Sequence, residues 1–453
     1  MPQRRFAKTF ILSVLPPAVL CLLYGLWLLL DAPGSLTAAL FALGLLILFL
    51  ALYVYTVWDA AGRIRQTDIP EEPPLCRERQ IDAREMLRIS FVLLCIRLFM
   101  FLIAYIWELL VNGYSGTIFQ MQHIWADHPL SVRYISMANH GYSWETGGAG
   151  VYANLSVAPL YGLMIRFLSP STATSIKVAF VIANINAVVA GAALYALTAQ
   201  ETDRKHARLA VTFYSLLPAS FLMSCTLADS TFLLLSLLTC YAARKKYFFP
   251  AAGFGALASL AAPQGVALLL PVLFEYDIYL RERLHSKEEE RNLPLWIGEG
   301  IALLFIPVGL FMYLYKNRSI TGDPFAFVQM AGGYHWFFDQ GAALVRSLML
   351  SGKEKLFSEV LPAAVALPAA LGVMLYTRKK IPVGMRLYFV FYLVCIPNAG
   401  VSWTRLLFTC FPVIQAAAEI ASGKKWIAAL MILVSIALLL LRLGMYALGW
   451  GAA

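Results

Sequence analysis

The amino-acid sequence predicts an all-α polytopic membrane protein, on three observations. Of its 453 residues, 60% are hydrophobic and only 14% charged. Its mean hydropathy is +0.70. Its apolar residues fall in runs of about 20, the length that crosses a bilayer core, with Lys and Arg gathered in the short gaps between them. A soluble globular domain carries roughly a quarter of its residues as charges, so this composition excludes one. The formal net charge of +10 is explained by that clustering, and no nucleic-acid partner is expected. The seven cysteines, Cys21, Cys76, Cys95, Cys225, Cys240, Cys395 and Cys410, lie mostly inside apolar runs and form no CxxC or Cys/His pattern. Neither a disulfide framework nor a metal site is expected.

Residues 11–30 form a first span, too long for the apolar part of a cleaved signal and without a good small-residue cleavage site. Arg4, Arg5 and Lys8 precede it and place the N-terminus in the cytoplasm. The chain turns at 31–35 and returns through 36–58 to a cytoplasmic loop, 59–88, with Arg63, Arg65, Arg77, Arg79, Arg84 and Arg88. A third span, 89–111, contains Arg97, which should face the bundle interior or a lipid phosphate. Beyond it lies a first extracytoplasmic loop, 113–170, too polar and too interrupted by Gly and Pro to span. Trp125, Tyr134, Tyr142, Trp144, Tyr152 and Tyr161 suit it to lying on the membrane. Within it, Pro159 and Arg166 interrupt a short apolar run, and 151–169 reads as an interfacial helix.

Spans at 176–197, 209–227 and 231–243 come next. Ala228-Asp229-Ser230 makes a tight outer turn, and Arg244, Lys245 and Lys246 mark the return to the cytoplasm. In 247–275 two short apolar halves flank Ala262-Pro263-Gln264-Gly265, which predicts a broken or re-entrant helix pair walling a cavity. A span at 297–315 leads to a second extracytoplasmic loop, 316–356. Spans at 360–376, 381–397, 406–421 and 426–445 complete a bundle of about eleven full spans plus the broken pair. The chain 1–453 therefore reads as a single membrane domain. Its parts are the first three helices (1–112), the first outer loop (113–170), the central helices (171–315), the second outer loop (316–356) and the C-terminal helices (357–453). No inverted sequence symmetry is visible, which weighs against a secondary transporter.

Polar residues collect on the outer side. The first loop has Asp127, His128, Arg133, His140 and Glu145, a hairpin tip has Asp229, the second loop has Asp323, His335 and Asp339, and Arg405 begins a helix at another outer turn. A carboxylate beside an outward cavity is placed to take a proton from an acceptor hydroxyl, and Asp127 is the leading candidate. Each of these residues taken alone reads first as a solvated loop residue. His123, His128 and His140 with Asp127 are metal-ligand types, but their irregular spacing favours surface or interfacial roles. The aromatics suit an interfacial belt as well as a sugar-stacking surface. Asn154-Leu155-Ser156 has the form of an N-glycosylation acceptor.

A family resemblance joins these pieces. Trp125 and Asp127, then Tyr134 through Tyr142, then Ala158-Pro159-Leu160-Tyr161 with Ile165-Arg166, resemble the WD...YxxIAxxGY...FPLYPLLIR pattern of the PIG-V-like mannosyltransferases. Asp229-Ser230 and the Leu-rich run to Arg244 are similar to that family's (E)S-L-F-x-x-L-S-L-L segment. Gly255 through Ser259 with Pro263 and Gly265 is similar to GALASxxRPTG, and Gly322-Asp323-Pro324 with Ala326, Phe327 and Gln329 to GDPxAFxxxQ. Ser402 to Arg405 with Phe411-Pro412 is similar to the R-Y...FP helix. The likeness runs in order from residue 124 to residue 422. This chain departs from the pattern by one extra residue between Trp125 and Asp127, by Ala262 where an arginine is expected, and by Leu406 where a tyrosine is expected.

The resemblance implies a GT-C-type helical bundle and an inverting glycosyltransferase that takes a sugar, mannose in the family, from a polyprenyl-phosphate donor. Asp127 would be the base, and Arg405 or Arg166 would lie near the donor phosphate. Arginine offers two parallel hydrogen bonds to phosphate oxygens. Tyr134, His140, Tyr142, Asp229, Gln264, Asp323 and Gln329 would line the substrate site. The implied partners are the lipid-linked donor, membrane lipid and a glycan, lipid or protein acceptor, with no cofactor. The other function class that fits is a non-catalytic or transport protein binding or moving a lipid-linked glycan on the same scaffold.

Overall fold

A computed structural model describes residues 36–65, 83–111, 113, 116, 125–126, 128–143, 154–284, 293–330, 343–344, 347, 355–396 and 402–447. The expected first span, Asp127, His123, Glu145, His335 and Asp339 lie outside the described residues. Every described regular element is helical, as the composition requires. Two long helices open the chain, α1 (Leu36–Arg65) and α2 (Ala83–Val111). Two short ones, α3 (Pro129–His140) and α4 (Pro159–Leu168), follow in the first loop. The central bundle is α5 (Ser175–Glu201), α6 (Arg204–Leu216), α7 (Asp229–Arg244), α8 (Phe248–Ala261) and α9 (Leu269–Leu284). Then come α10 (Leu293–Ala302), α11 (Val308–Thr321) and the short α12 (Ala326–Met330). The C-terminal set is α13 (Leu361–Tyr376), α14 (Val383–Val394), α15 (Trp403–Thr409), α16 (Phe411–Ser422) and α17 (Lys425–Ala447).

Five described helical segments have the length and apolarity to cross a membrane: Leu40–Arg63, Ala83–Val111, Thr172–Glu201, Leu293–Thr321 and Lys425–Ala447. The α15–α16 pair makes a sixth if it is counted as one bent span. Their outer faces are apolar. On α2, Phe91, Leu98, Phe99 and Leu110 are all more than half exposed, while Leu93, Arg97, Met100, Ala104 and Glu108 form the buried stripe. Large apolar side chains on an outer face suit lipid, not water, so this is an integral membrane protein.

Association of these helices in lipid depends on close approach rather than on the hydrophobic effect. Ala179, Ala183, Ala187 and Ala190 on α5 are wholly buried and let α5 pack against α2, α6 and α7. Where α11 crosses α8, a Cβ on Gly309 would stand 2.0 Å from the Ala256 carbonyl oxygen.

The helix breaks differ from the expectations in instructive ways. The span expected at 209–227 stops at Leu216. Leu217 precedes Pro218 and is extended, and the chain continues as a 3-10 turn, Ser220–Ser224. The helix expected at 406–421 is two helices bent by 80°. Cys410 is non-helical and Pro412, in the first turn of α16, offers no N–H to bridge the break. The segment at 360–376 begins with a π turn, Leu356–Val360, and that at 381–397 is a helix of 12 residues.

The predicted break at Pro263 is present as a 3-10 segment, Pro263–Leu268, between α8 and α9. It is tightly packed, with Gly265 N donating to Ala262 O at 2.9 Å. A shallow open groove runs along α1, lined by Leu50, Ala51, Val54, Tyr55 and Trp58. A Cβ on Gly265 would sit 2.6 Å from the backbone of Ala258 and Ser259, whereas one on Gly253 meets nothing within 4 Å. Gly265→Ala should therefore lower the thermal midpoint of the purified protein, at a cost of about 1–3 kcal/mol for the forced backbone shift. Gly253→Ala should leave that midpoint level or slightly raised. Equal midpoints for the two variants would show that the break is slack.

Candidate functional site

Three segments converge where α7 begins. The first is the start of the first loop, where Trp125 is 1% exposed. Its ring meets Phe101 edge-on at 4.8 Å and lies 6.2 Å from Tyr446, and its carbonyl accepts from Thr226 N at 2.9 Å. The second is the 3-10 turn Ser220–Ser224, held by Arg97. That arginine faces inward, donating from Nη1 to Ser220 O at 2.7 Å and to Ser224 Oγ at 3.1 Å, above the ring of Tyr214. The third is α15, braced by Tyr392, whose hydroxyl donates to Leu406 O at 2.8 Å. The 80° bend after α15 tilts this helix out of line with α16 and carries Arg405 to α7.

Arg405 and Asp229 face one another at this junction. Nη1 of Arg405 lies 3.7 Å from Oδ2 of Asp229, with side chains 11% and 13% exposed. Tyr134 on α3 is buried edge-on to Tyr161 at 5.2 Å. Burial, then the Asp229 charge, holds its hydroxyl above the ordinary tyrosine range, with Arg405 partly opposing. His128 is 5% exposed. Its Nδ1 caps α3 by accepting from Leu130 N at 3.1 Å, and Pro129 starts the helix where no N–H is needed. Burial first and the Arg405 guanidinium second push the imidazole down to about 3, so it is neutral at physiological pH.

The other residues singled out in the sequence fall into three groups. Gln264 is buried in the 3-10 segment after α8, beside Tyr392 and so beneath this junction. Tyr142, Asp323 and Gln329 build the support for α3. Asp323 accepts from Phe325 N at 2.9 Å and from Gln329 Nε2 at 2.8 Å, closing the turn that starts α12 after Gly322 at φ +81°. Phe327 packs on Tyr313 at 4.9 Å, and Tyr142 stacks on the same ring while donating to Val157 O at 2.7 Å. His140 and Arg166 are exposed at the ends of α3 and α4, and neither makes an ion pair among the described residues. Asn154 is wholly buried, its amide donating to Gly141 O at 2.9 Å and its carbonyl accepting from Ser143 N at 2.9 Å.

Sequence reasoning undervalued four polar atoms. His128 Nε2, Ser131 Oγ, Ser230 Oγ and Arg405 Nε are buried without a hydrogen-bond partner among the described residues. His-Pro at the start of a helical pattern was a signal for a histidine N-cap. Nothing in the sequence signalled that its other nitrogen is buried.

No protein-family model and no curated protein matches the chain in sequence. Among solved structures it is similar to the Archaeoglobus fulgidus oligosaccharyltransferase in complex with Zn and sulfate. There the identity is 13%, over 77% of this chain and 53% of that one, with a TM-score of 0.39. The apo form of the same protein gives 12% identity, 78% and 56% coverage and a TM-score of 0.40. The archaeal oligosaccharyltransferase AglB from that organism, in complex with an inhibitory peptide and a dolichol-phosphate, gives 12%, 80%, 56% and 0.38. The chain spans about half the length of these structures. At such TM-scores the site is read from this chain's own residues.

Two measurements test the junction. Asp229→Asn leaves Arg405 unpaired, so a cycle with Arg405→Gln should give a coupling energy on the order of 1–3 kcal/mol in thermal or denaturant stability; strict additivity would mean that the pair is not formed. For His128 the folded protein resists protonation while the unfolded chain accepts a proton near pH 6.5. Stability is therefore intact above pH 6.5 and falls by about 1.4 kcal/mol per unit as pH drops toward 3. His128→Asn should lose that part of the acid sensitivity, read as a flatter dependence of thermal midpoint on pH between 6.5 and 4.5.

Proposed function

We propose that the chain is a GT-C-type glycosyltransferase, related to the PIG-V-like mannosyltransferases, that moves a sugar from a polyprenyl-phosphate donor to an extracytoplasmic acceptor. The observation that carries this reading is the half-buried Asp229–Arg405 pair, where segments meet that also carry buried polar atoms without hydrogen-bond partners among the described residues. A guanidinium held by a single carboxylate through Nη1 keeps its Nε–H for a ligand oxygen. A low-dielectric setting strengthens its grip on a phosphate.

The chemistry is a single displacement. The acceptor hydroxyl oxygen attacks the anomeric carbon of the donor as the bond from that carbon to the phosphate oxygen breaks. The bonding pair leaves with the prenyl phosphate, and the hydroxyl proton passes to a carboxylate. Asp127 is the proposed base, since it adjoins the buried Ala126 and His128 in the chain. Arg405 receives the charge that develops on the leaving phosphate, and Tyr134, Asp229 and Gln264 bound the same volume. His140 and Arg166, exposed on α3 and α4, suit contact with the donor lipid or the acceptor at the rim. The basic residues of the loops support a reading with the N-terminus in the cytoplasm and this end of the bundle outside.

Purified protein in nanodiscs, given polyprenyl-phosphate mannose or other lipid-phosphate sugars with membrane extract as acceptor, should transfer sugar. Asp127→Asn should reduce the rate about 10²–10⁴-fold, the usual worth of a general base. Full transfer by that variant removes Asp127 from the role. Absence of transfer from every donor favours the non-catalytic glycan-binding reading.

A further inference from the structure

His128 presents a buried N–H that the fold itself does not use. Its Nδ1 accepts from Leu130 N, and a neutral imidazole has only one ring proton, so that proton sits on Nε2. Nε2 is on the far edge of the ring from the helix it caps, and it has no acceptor among the described residues. A buried donor left unmade costs about 1–3 kcal/mol. Four such atoms belong to the segments that meet at this junction. Nε of Arg405 and Nε2 of His128 can only donate, while Ser131 Oγ, one turn into α3, and Ser230 Oγ, on the first turn of α7, can do either. Ser131 is wholly buried and Ser230 is 1% exposed. The 16-residue helix α7 also begins here, without a side-chain cap. Asp229, its first residue, already supplies a negative charge at that start.

Obligatory donors and a guanidinium together suit a compact anion with several acceptor oxygens. A phosphoryl group supplies three on one atom, where a sugar hydroxyl supplies one and would not offset the guanidinium. We propose that His128, fixed as its Nε2–H tautomer by capping α3, donates to a phosphoryl oxygen of a ligand that Arg405 holds from the other side. His128 is thus a ligand-binding residue that acts as a neutral donor. This deepens the proposed function by assigning one contact to the phosphate of the donor, and it rests on that reading only for the source of the phosphate.

Two substitutions separate the two nitrogens. Asparagine at 128 keeps an oxygen where Nδ1 caps α3 but does not extend to Nε2. Glutamine reaches the Nε2 position with an N–H but is a poor cap. The probe is citronellyl phosphate, titrated into protein in phosphatidylcholine nanodiscs and followed by tryptophan fluorescence, with citronellol as the control lacking phosphate. The wild type should bind the phosphate and not the alcohol. His128→Asn should weaken binding about tenfold or more at an unchanged thermal midpoint at neutral pH. His128→Gln should stay within about threefold of wild type despite a lower midpoint.

Competition by inorganic phosphate or by phosphatidylglycerol doped into the nanodiscs would identify the phosphoryl source as free phosphate or bulk lipid, and either result supports the site. Equal binding of citronellol, no binding by wild type, or wild-type affinity in His128→Asn each overturns it. Failure of every transfer assay with this binding pattern intact would remove the enzyme reading and leave the phosphoryl site. Active transfer with unchanged affinity in His128→Asn would remove His128 alone.

Discussion

A carboxylate and a guanidinium facing each other at the end of an apolar bundle set the terms for everything around them. Removing two charges from water costs several kcal/mol per ion, and their attraction repays it only where the surroundings complete their hydrogen bonds. Around Asp229 and Arg405 the surroundings do so incompletely. Nη1 has its carboxylate at 3.7 Å, yet Nε has no hydrogen-bond partner among the described residues, and neither do Ser131 Oγ, Ser230 Oγ and His128 Nε2 on the segments that meet here. The rest of the structure keeps that unfinished arrangement in place. Arg97 ties down the turn before α7, Tyr392 braces α15, and the Trp125 ring, packed on Phe101 and Tyr446, anchors the start of the first loop.

Proline is the means by which these segments meet. In lipid a helix continues unless something removes its backbone bonds, because each unmet N–H or carbonyl is expensive there. Pro218 ends α6 early and opens the 3-10 turn that Arg97 grips. Pro263 ends α8 and folds the chain back so closely that only glycine fits at 265. Pro412 breaks what would have been one span and turns α15 by 80°. Gln264 directly follows Pro263, while Asp229 follows the turn that Pro218 opens and Arg405 lies on the helix before the Cys410–Pro412 break.

Hydropathy made the long helices legible, because α1, α2, α5 and α17 are uniform apolar runs with charged ends. It was less informative where a run contains proline. Residues 209–227 and 406–421 have the composition of spans, and composition does not say how sharply Pro218 or Pro412 redirects the chain. Of the site, Arg405 and Asp229 were visible as polar residues at outer turns, and the motif resemblance grouped them with Tyr134 and Gln264. Asp323 and Gln329 belong to the same motifs but hydrogen-bond to one another, and they support the site through Phe327 and Tyr313. His128 was seen as a candidate metal ligand or surface residue. It is buried where the charge of Arg405, nearly 280 positions away, reaches it, and no local pattern encodes a proximity of that range.

Asn154 has a consequence for how the protein can be made. The sequon form of Asn154-Leu155-Ser156 would offer it to any oligosaccharide-adding machinery that meets the chain before it folds. In the folded protein the Asn154 amide lies at zero exposure, clamped between Gly141 and Ser143. A sugar on that nitrogen has nowhere to go, so modification and folding compete for one atom. A host that lacks this machinery, or a chain that closes the first loop promptly, is the safe route, and any molecule glycosylated there is one that missed the fold.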